Sequence, residues 1–311
     1  MRASCGGACV TEPQAPSGEQ VELAHGDQRV VVVEVGGGLR TYSNGDRAVL
    51  DGYGEQELCS SGRGQLLIPW PNRIADGRYE FDGQARQLAL DEPERGNAIH
   101  GLVRWAAWTI AEREPDRVLL QHLLHPQPGF PFTLDLHMEY VLADDGLTVR
   151  TGATNVGAEI CPYGAGAHPY LAVHASRVDE VTLQVPARTV LDADERGLPV
   201  GAHGVEGTEL DFRVPKQVGE LRLDHCFTNL ERDEDGRARV RLGNGTTLWA
   251  NESYKYLMVF TGDGLPDVER RSIAVEPMTC APNAFRSGDG LIRLEPNETH
   301  VGLWGIMPAP R

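Results

Sequence analysis

The sequence predicts an all-β protein, built as a large antiparallel β-sandwich. Three observations support this fold class. Apolar and polar residues alternate with a period of two, tight-turn dipeptides separate the alternating runs, and no helical period continues for about a dozen residues. The 36 glycines and 20 prolines agree with many short connections, because these residues set the backbone angles that tight turns need.

Three hairpins are the clearest elements. In "FTLDLHMEYVLADDGLTVR" the even-numbered residues from Phe132 to Leu142 are apolar and the residues between them are mostly polar, so a strand here has one apolar face. The turn is Asp145-Gly146, and the alternation then resumes. The same design recurs around Asp82-Gly83 in "RYEFDGQARQL" and around Asn244-Gly245 in "RVRLGNGTTLWA".

Further strands and the domain organisation follow from the rest of the chain. Short apolar runs that add strand candidates are "RVVVVEV", "RVLLQHLL", "VTLQV", "YLMVF" and "SIAVE". A length of 311 residues allows two domains, but no linker, repeat or low-complexity segment divides the chain after its start. We therefore expect a loose N-terminal tail over residues 1–20 and a single β-sandwich domain over residues 21–311.

The charge balance limits the partners. Asp and Glu total 45 against 29 for Lys and Arg, a formal net charge of -16, so nucleic acid and anionic membrane surfaces are not expected as partners. No stretch is apolar for long enough to cross a bilayer, and the first twenty residues lack the apolar centre of a secretory signal. We expect a cytoplasmic protein that binds a small molecule; the sequence carries no signal of its oligomeric state.

The six cysteines are scattered through the chain, which favours free thiols over a disulfide framework in a protein without an export signal. Cys5 and Cys9 form the only close pair, and no His or Cys follows them at the spacing of a zinc site. We therefore expect no metal site there.

Polar and titratable residues gather in five short motifs. Pro69-Trp70-Pro71 holds the chain extended before Asn72-Arg73, and "NAIHG" then brings His100. The other three motifs are "GAGAHPYL" with His168 and Tyr170, "RLDHCF" with Asp224 and His225, and "AVEPMT" with Glu276. Each motif alone is a weak signal, since a lone histidine or glutamate is usually structural or exposed.

Taken together and in this order, the motifs resemble those of the aldose 1-epimerase family, the galactose-mutarotase-like proteins. The resemblance runs from about Gly36 to about Gly305 and implies a large antiparallel β-sandwich, in agreement with the hairpins. The best-known galactose mutarotases usually have Asn-x-Thr-Asn-His in the segment that leads to the histidine matching His168, whereas this chain has "TNVGAEICPYGAGAHPYL". The pattern is similar to that of a bacterial side branch, which puts the identity of the sugar in doubt.

The resemblance implies an isomerase that interconverts the α and β anomers of an aldohexose, without a cofactor or metal. A base removes the proton of the C1 hydroxyl while an acid protonates the ring oxygen, and the opened sugar recloses on its other face. The carboxylate that takes and returns this proton should have a raised pKa, and it should face the acid across a gap wide enough for one sugar ring. By resemblance, Glu276 is the base, His168 the acid and His100 the second histidine; Arg73 and Asp224 bind sugar hydroxyls, and Asn72 and Tyr170 flank the pocket.

Several secondary expectations concern the pocket wall. Trp105 is the best candidate for stacking on a sugar among Trp70, Trp105 and Trp108, at least two of which should pack in the core. Phe285 is a further lining candidate. Only one residue of the pair Asp224-His225 should reach the pocket, because neighbouring residues on a strand face opposite ways, and the resemblance favours Asp224. Gly164 and Gly166 should let the backbone approach a ligand closely.

Three functions remain open on the sequence. The first is a mutarotase of a neutral aldohexose. The second is an epimerase of an anionic sugar, such as a hexose 6-phosphate or a sulfonated hexose, for which Arg63, Arg78 and Arg104 are candidate anion ligands. Two or more arginines turned toward the open end of the pocket would favour it. The third is a non-catalytic sugar-binding protein, which would have no need for both Glu276 and His168.

Overall fold

Strands form nearly all of the regular structure in the computed structural model, which describes residues 14–266 and 268–310. In chain order the strands are β1 (Gln20–His25), β2 (Gln28–Val33), β3 (Leu39–Asn44), β4 (Arg47–Ala48), β5 (Leu66–Leu67), β6 (Arg73–Ala75), β7 (Arg78–Phe81), β8 (Gln84–Gln87), β9 (Asn97–Ile99), β10 (Thr109–Arg113), β11 (Arg117–Leu124), β12 (Leu134–Ala143), β13 (Gly146–Asn155), β14 (Cys161–Tyr163), β15 (Gly166–Ala167), β16 (Tyr170–Ala172), β17 (Thr182–Gln184), β18 (Ala187–Ala193), β19 (Pro199–Gly204), β20 (Lys216–Gln217), β21 (Asp224–Leu230), β22 (Ala238–Leu242), β23 (Thr247–Ala250), β24 (Tyr256–Phe260), β25 (Ser272–Met278), β26 (Ile292–Leu294) and β27 (Thr299–Met307).

Two large antiparallel sheets make the sandwich. One has nine strands in the order β10-β11-β12-β13-β27-β23-β22-β17-β20. The other has the order β19-β18-β21-β24-β25-β15-β5, with β16 also paired to β25. Smaller sheets are β1-β2-β3-β4, β14-β26, β6-β9 and β7-β8. The predicted all-β sandwich is therefore confirmed.

The three predicted hairpins are all present. β7 pairs with β8 around Asp82-Gly83, and β22 with β23 around Asn244-Gly245, as predicted. β12 pairs with β13 through a turn at Asp144-Asp145, one residue before the predicted Asp145-Gly146, because Gly146 already pairs with Ala143. Each of the five further apolar runs also overlaps a strand, namely β2, β11, β17, β24 and β25. Hairpins could be predicted because the turn dipeptide and the alternation on either side are both local signals.

Helices are short in the described part of the chain: a 3₁₀ turn at Val178–Glu180 and α1 at Ala284–Ser287. None of the helices described is long and apolar enough to cross a membrane. Cys59, Cys161, Cys226 and Cys280 are buried free thiols, while Cys5 and Cys9 lie outside the described residues.

Most of the predicted tail also lies outside the described residues, which begin at 14. The part that is described is hydrogen-bonded to the segment that follows β2. Ser17 is buried, and its carbonyl accepts a hydrogen bond of 2.9 Å from the backbone N–H of Val35. Strand β1 then begins at Gln20.

One hydrophobic core contains residues from both large sheets. All seven residues of β25 are buried, although neighbouring residues of a strand face opposite ways. Ile273 and Val275 belong to the main core, whereas Met278 belongs to a second cluster with Cys226 and Met258. Glu276 shares the face of Met278, so the alternation turns it away from the main core.

Candidate active site

A cleft of ≈ 1100 Å³ opens beside β25. This volume lies just above the usual range of small-molecule sites, about 300–1,000 Å³. All eight residues that the sequence predicts for the site line it: Glu276, His168, His100, Arg73, Asp224, Asn72, Tyr170 and Trp105. Residues from distant parts of the chain therefore meet at one place.

The sheet register brings His168 and Glu276 together. β25 pairs with β15 at Met278 and with β16 at Ala274, so the antiparallel register between these points sets His168 opposite Glu276. Nε2 of His168 lies 3.3 Å from Oε1 of Glu276. The expected gap of one sugar ring is therefore wrong. A physical reason is that the C1 hydroxyl and the ring oxygen are bonded to the same carbon, so an acid and a base that serve them converge on one point.

Burial sets the charge state of this pair. The two side chains are only 8% and 3% exposed. Loss of hydration raises the pKa of Glu276 well above its ordinary value, and the nearby Asp224 carboxylate acts in the same direction. Burial lowers the pKa of His168, and neighbouring arginines lower it further. The two shifts favour a protonated, neutral carboxyl on Glu276 beside a neutral imidazole on His168. The direction of the pKa shift of Glu276 is the one expected from the sequence.

A backbone hydrogen bond selects the tautomer of His100. The N–H of Asn72 donates to Nδ1 of His100 at 3.2 Å, and the N–H of His100 donates to the carbonyl of Asn72 at 2.8 Å. Burial lowers the pKa of His100, so the imidazole is neutral. Since Nδ1 accepts, the single proton sits on Nε2, which makes this nitrogen a hydrogen-bond donor. The ring lies edge-on to His168, with 5.4 Å between centroids.

The two histidines and Glu276 also have the spacing of a metal site. One ligand atom from each lies within 4.8 Å of the other two, and two histidines with one carboxylate form a common donor set for divalent transition metals. The tautomer of His100 opposes this use. Its Nδ1 lone pair accepts from Asn72 and its Nε2 carries a proton, so neither nitrogen is free to bind a cation. The trio is better suited to hydrogen bonding and proton transfer.

Arg73 is oriented by a carboxylate that the sequence analysis did not single out. Its Nε donates to both oxygens of Glu92, at 3.1 and 2.9 Å, and its Nη2 donates to Oε1 at 2.9 Å. Asn97, fully buried, donates to the other carboxylate oxygen at 2.8 Å. Glu92 thus holds the guanidinium in place without any ligand, and leaves Nη1 as the nitrogen it does not bind.

Asp224 begins β21 on the same face as Glu276, because Cys226 pairs with Met258 and Met258 pairs with Glu276. Asp224 is exposed at the cleft. The expectation that only one residue of Asp224-His225 reaches the pocket is wrong, since both line it. They are the first residues of their strand and lie at its rim, where a side chain on either face can reach the opening.

The aromatic residues considered for the pocket lie in different environments. Trp70 and Trp108 are buried at 2% exposure each, whereas Trp105 is 54% exposed and lines the cleft. Tyr170 stacks on the His168 imidazole, with 4.9 Å between centroids and 12° between planes. Phe285 is not among the lining residues: it is buried against Trp70 and Tyr79, so the prediction that it lines the pocket is wrong.

Gly164 and Gly166 serve packing rather than ligand approach, contrary to the expectation from the sequence. Neither residue lines the cleft. A Cβ atom on Gly164 would lie 2.5 Å from the sulfur of Cys280, and one on Gly166 would lie 2.9 Å from Pro71. The glycines therefore allow the segment before His168 to pass close to the proline-rich segment before Asn72.

Of the three candidate anion ligands, only Arg104 lines the cleft, where it donates to Asp91 at 2.8 Å. Arg63 is buried beneath Tyr170, and Arg78 lies on β7 away from the cleft. Two arginines that the sequence analysis did not consider, Arg95 and Arg222, are exposed and line the cleft. Nothing local in their sequence distinguishes them from other surface arginines.

Comparisons with known proteins find similar sequences over most of the chain. A family model described as aldose 1-epimerase matches residues 19–303. The protein YihR of Escherichia coli K12, described as uncharacterized, is 36% identical over 292 residues, which cover 93% of each chain. An aldose 1-epimerase of the same organism is 33% identical over 218 residues, which cover 64% of this chain and 60% of that protein.

The fold is also shared with solved structures. The GalM/aldose epimerase homologue of C. elegans superimposes with a TM-score of 0.82 at 18% identity, over 94% of this chain and 99% of that chain. At this identity the likeness concerns the fold alone.

Proposed function

Because the chain belongs to the aldose 1-epimerase family, we propose that it interconverts the α and β anomers of an aldohexose by ring opening and reclosure. The observation that carries this proposal is the buried contact of 3.3 Å between His168 and Glu276. The reaction needs one group that gives a proton and one that takes a proton, and a neutral carboxyl–imidazole pair supplies both. A protein that only binds sugars gains nothing from burying such a pair.

The proposed reaction moves two protons and breaks one bond. With the charge states described above, the protonated Glu276 carboxyl gives its proton to the ring oxygen while the neutral His168 imidazole takes the proton of the C1 hydroxyl, which reverses the roles implied by the resemblance. The electrons of the C1 oxygen form the carbonyl as the bond between C1 and the ring oxygen breaks. Rotation about C1–C2 presents the other face of the aldehyde, and the reverse transfers close the ring. Since the roles of His168 and Glu276 exchange between opening and closing, the site returns to its starting protonation state.

The surrounding residues have proposed roles that match their geometry. The Nε2–H of His100 is suited to donate to the ring oxygen or to a neighbouring hydroxyl. Arg73, held by Glu92, would donate to sugar oxygens, and the exposed Asp224 carboxylate would accept from hydroxyls. Trp105 would stack on the apolar face of the ring. Asn72 and Tyr170 support the two histidines directly and line the pocket.

The proposal is tested by following the optical rotation of freshly dissolved α-glucose and α-galactose. We expect the wild-type protein to reach the equilibrium rotation faster than buffer, and His168→Asn to lower kcat by about 10²–10⁴-fold. Glu80→Gln is a suitable control, because Glu80 is exposed on β7 and does not line the cleft. A wild-type rate equal to buffer on every aldose tried, neutral or anionic, would refute the proposal.

A second candidate is an epimerase of an aldohexose that carries a phosphate or sulfonate. The observation in its favour is that Arg95 and Arg222, both exposed, line the same cleft as the proton-transfer pair. On this hypothesis kcat/KM for glucose 6-phosphate or a sulfonated glucose exceeds that for glucose, and Arg95→Gln or Arg222→Gln lowers only the value for the anionic sugar, by about tenfold or more. Equal losses on glucose would favour the neutral substrate.

A further inference from the structure

The loop "SSGRGQ" at residues 60–65 encloses His168. The backbone N–H of His168 donates to the carbonyl of Gln65 at 3.0 Å, and the N–H of Gly64 donates to the carbonyl of His168 at 2.9 Å. Gly62 has φ +73, and a Cβ atom there would lie 2.9 Å from Cδ2 of the imidazole. This loop therefore holds both the backbone and one edge of the ring of the proposed proton-transfer residue.

Arg63 extends this support through an aromatic stack. Its guanidinium carbon lies 4.6 Å from the centroid of the Tyr170 ring, and that ring is stacked on the imidazole of His168. The Tyr170 hydroxyl donates to the carbonyl of Ser61 at 3.0 Å, which ties the phenol to the same loop. The Tyr170 ring is thus in contact with a guanidinium and an imidazole at once.

The burial of Arg63 is costly and calls for a reason. The residue is 3% exposed, and among the described residues its Nε and Nη2 have no hydrogen-bond partner. Its ion pair with Asp51 is long, at 3.5 Å, and Asp51 is also bound by Arg271 and by Ser272. A buried guanidinium normally fills its five donors, so packing alone does not account for a charge in this place.

We propose that Arg63 is a positioning residue, which acts through the Tyr170 ring to fix the plane of the His168 imidazole against Glu276. This proposal rests on the proposed function. A parallel stack allows the imidazole to slide but opposes its tilting, and the guanidinium prevents the phenol from leaving the stack. His168 then keeps the orientation in which Nε2 meets Glu276.

The charge of Arg63 adds a second effect on the same pair. A cation close to His168 opposes its conversion to an imidazolium ion, and so keeps the imidazole neutral beside Glu276. The other titratable or charged groups that face His168 are Glu276, His100, Tyr170, Arg73 and Arg104. Arg63 itself faces Asp51, Tyr170 and Cys59, and burial keeps the Cys59 thiol neutral by raising its pKa to about 11.

The test compares Arg63→Met with Arg63→Lys and with Arg271→Met. Arg271 is the matched control, since it shares the Asp51 partner but is half-exposed and, among the described residues, does not stack on Tyr170. For Arg63→Met we expect kcat to fall about tenfold with KM changed less than about twofold, because positioning affects the transition state more than binding. We also expect the acidic limb of the pH profile to move up by about one pH unit. Arg63→Lys should restore the position of that limb, since it keeps the charge.

An NMR titration of the His168 imidazole gives a second readout that does not need activity. The midpoint should rise in Arg63→Met and stay unchanged in Arg271→Met. The proposal is wrong if neither kcat nor the midpoint changes in Arg63→Met. It is also wrong if Arg63→Met and Arg271→Met change them equally, because Arg63 then acts only as a partner of Asp51. If Arg63→Met does not fold, Arg63→Lys must show a loss of kcat with an unchanged midpoint, because lysine keeps the charge but has no planar guanidinium to pack on the Tyr170 ring. Absence of wild-type mutarotation with the expected shift in the midpoint would instead refute the proposed function alone.

Discussion

Replacing Glu276 with glutamine is expected to slow mutarotation and, at neutral pH, to stabilise the fold. The amide keeps the size of the side chain and can still contact Nε2 of His168, which lies 3.3 Å from the present Oε1. It cannot exchange a proton with the sugar. General acid–base transfer contributes about 10²–10⁴-fold in rate, so we expect a loss of kcat in this range, equal to about 2.7–5.4 kcal/mol of activation free energy.

The sign of the stability effect follows from the raised pKa of Glu276. In the unfolded chain this group ionises near its ordinary pKa of about 4.3, whereas the folded protein keeps the proton to higher pH. The stability it contributes is therefore complete below the unfolded pKa and is lost as the pH rises through the folded pKa. Between the two values the free energy of unfolding falls by about 1.4 kcal/mol per pH unit, and glutamine removes this loss.

The assay is urea unfolding of the wild type and Glu276→Gln at about pH 5, 6 and 7, together with polarimetry of both proteins. Because all other groups are shared, the difference in unfolding free energy reports Glu276 and its coupling to His168. We expect the variant to gain relative stability with each step in pH. A difference that stays constant with pH would show that Glu276 is ionised in the folded protein, and a loss of kcat below tenfold would show that it does not transfer the proton.

Three further predictions follow from the same geometry. Glu92→Gln weakens the bidentate partner of the buried Arg73 and should lower the free energy of unfolding in urea by about 3–5 kcal/mol. Glu94→Gln, in the same loop but exposed, should change it by less than about 0.5 kcal/mol. Equal effects would show that Glu92 does not hold Arg73. Trp105→Ala should raise KM about two- to tenfold at unchanged kcat and unchanged melting temperature, and an unchanged KM would exclude stacking. Because the pKa of His168 is lowered, wild-type kcat/KM should not fall as the pH is lowered through about 6.5, and a fall there would show an ordinary histidine.

The sequence predicts those features of the site that are carried by local order and by family motifs. Glu276 follows an apolar strand and His168 lies between glycines and a proline, and the resemblance links the two although 108 positions separate them. What no local pattern could supply is the register of β15 and β16 on β25, which sets the side chains opposite each other.

Residues that support others were the hardest to anticipate. Glu92 occurs in "DEPERGN", a run that reads as an exposed turn, yet it holds Arg73 with three hydrogen bonds. Arg63 was considered as an anion ligand because of its charge, but the fold buries it beneath Tyr170. Sequence reports the chemistry of a side chain and not the direction in which it points.

By itself, the sequence determined the all-β class, the three hairpins, the family and eight of the residues that line the cleft, because alternation, turn dipeptides and motif order are properties of the chain. Tertiary structure decided the protonation and orientation of these residues. Burial makes the pair of His168 and Glu276 neutral, and a backbone N–H from Asn72 selects the tautomer of His100. Both effects depend on how much water surrounds a group and on which atoms lie within about 3 Å of it. That environment forms only once distant segments of the chain have packed together.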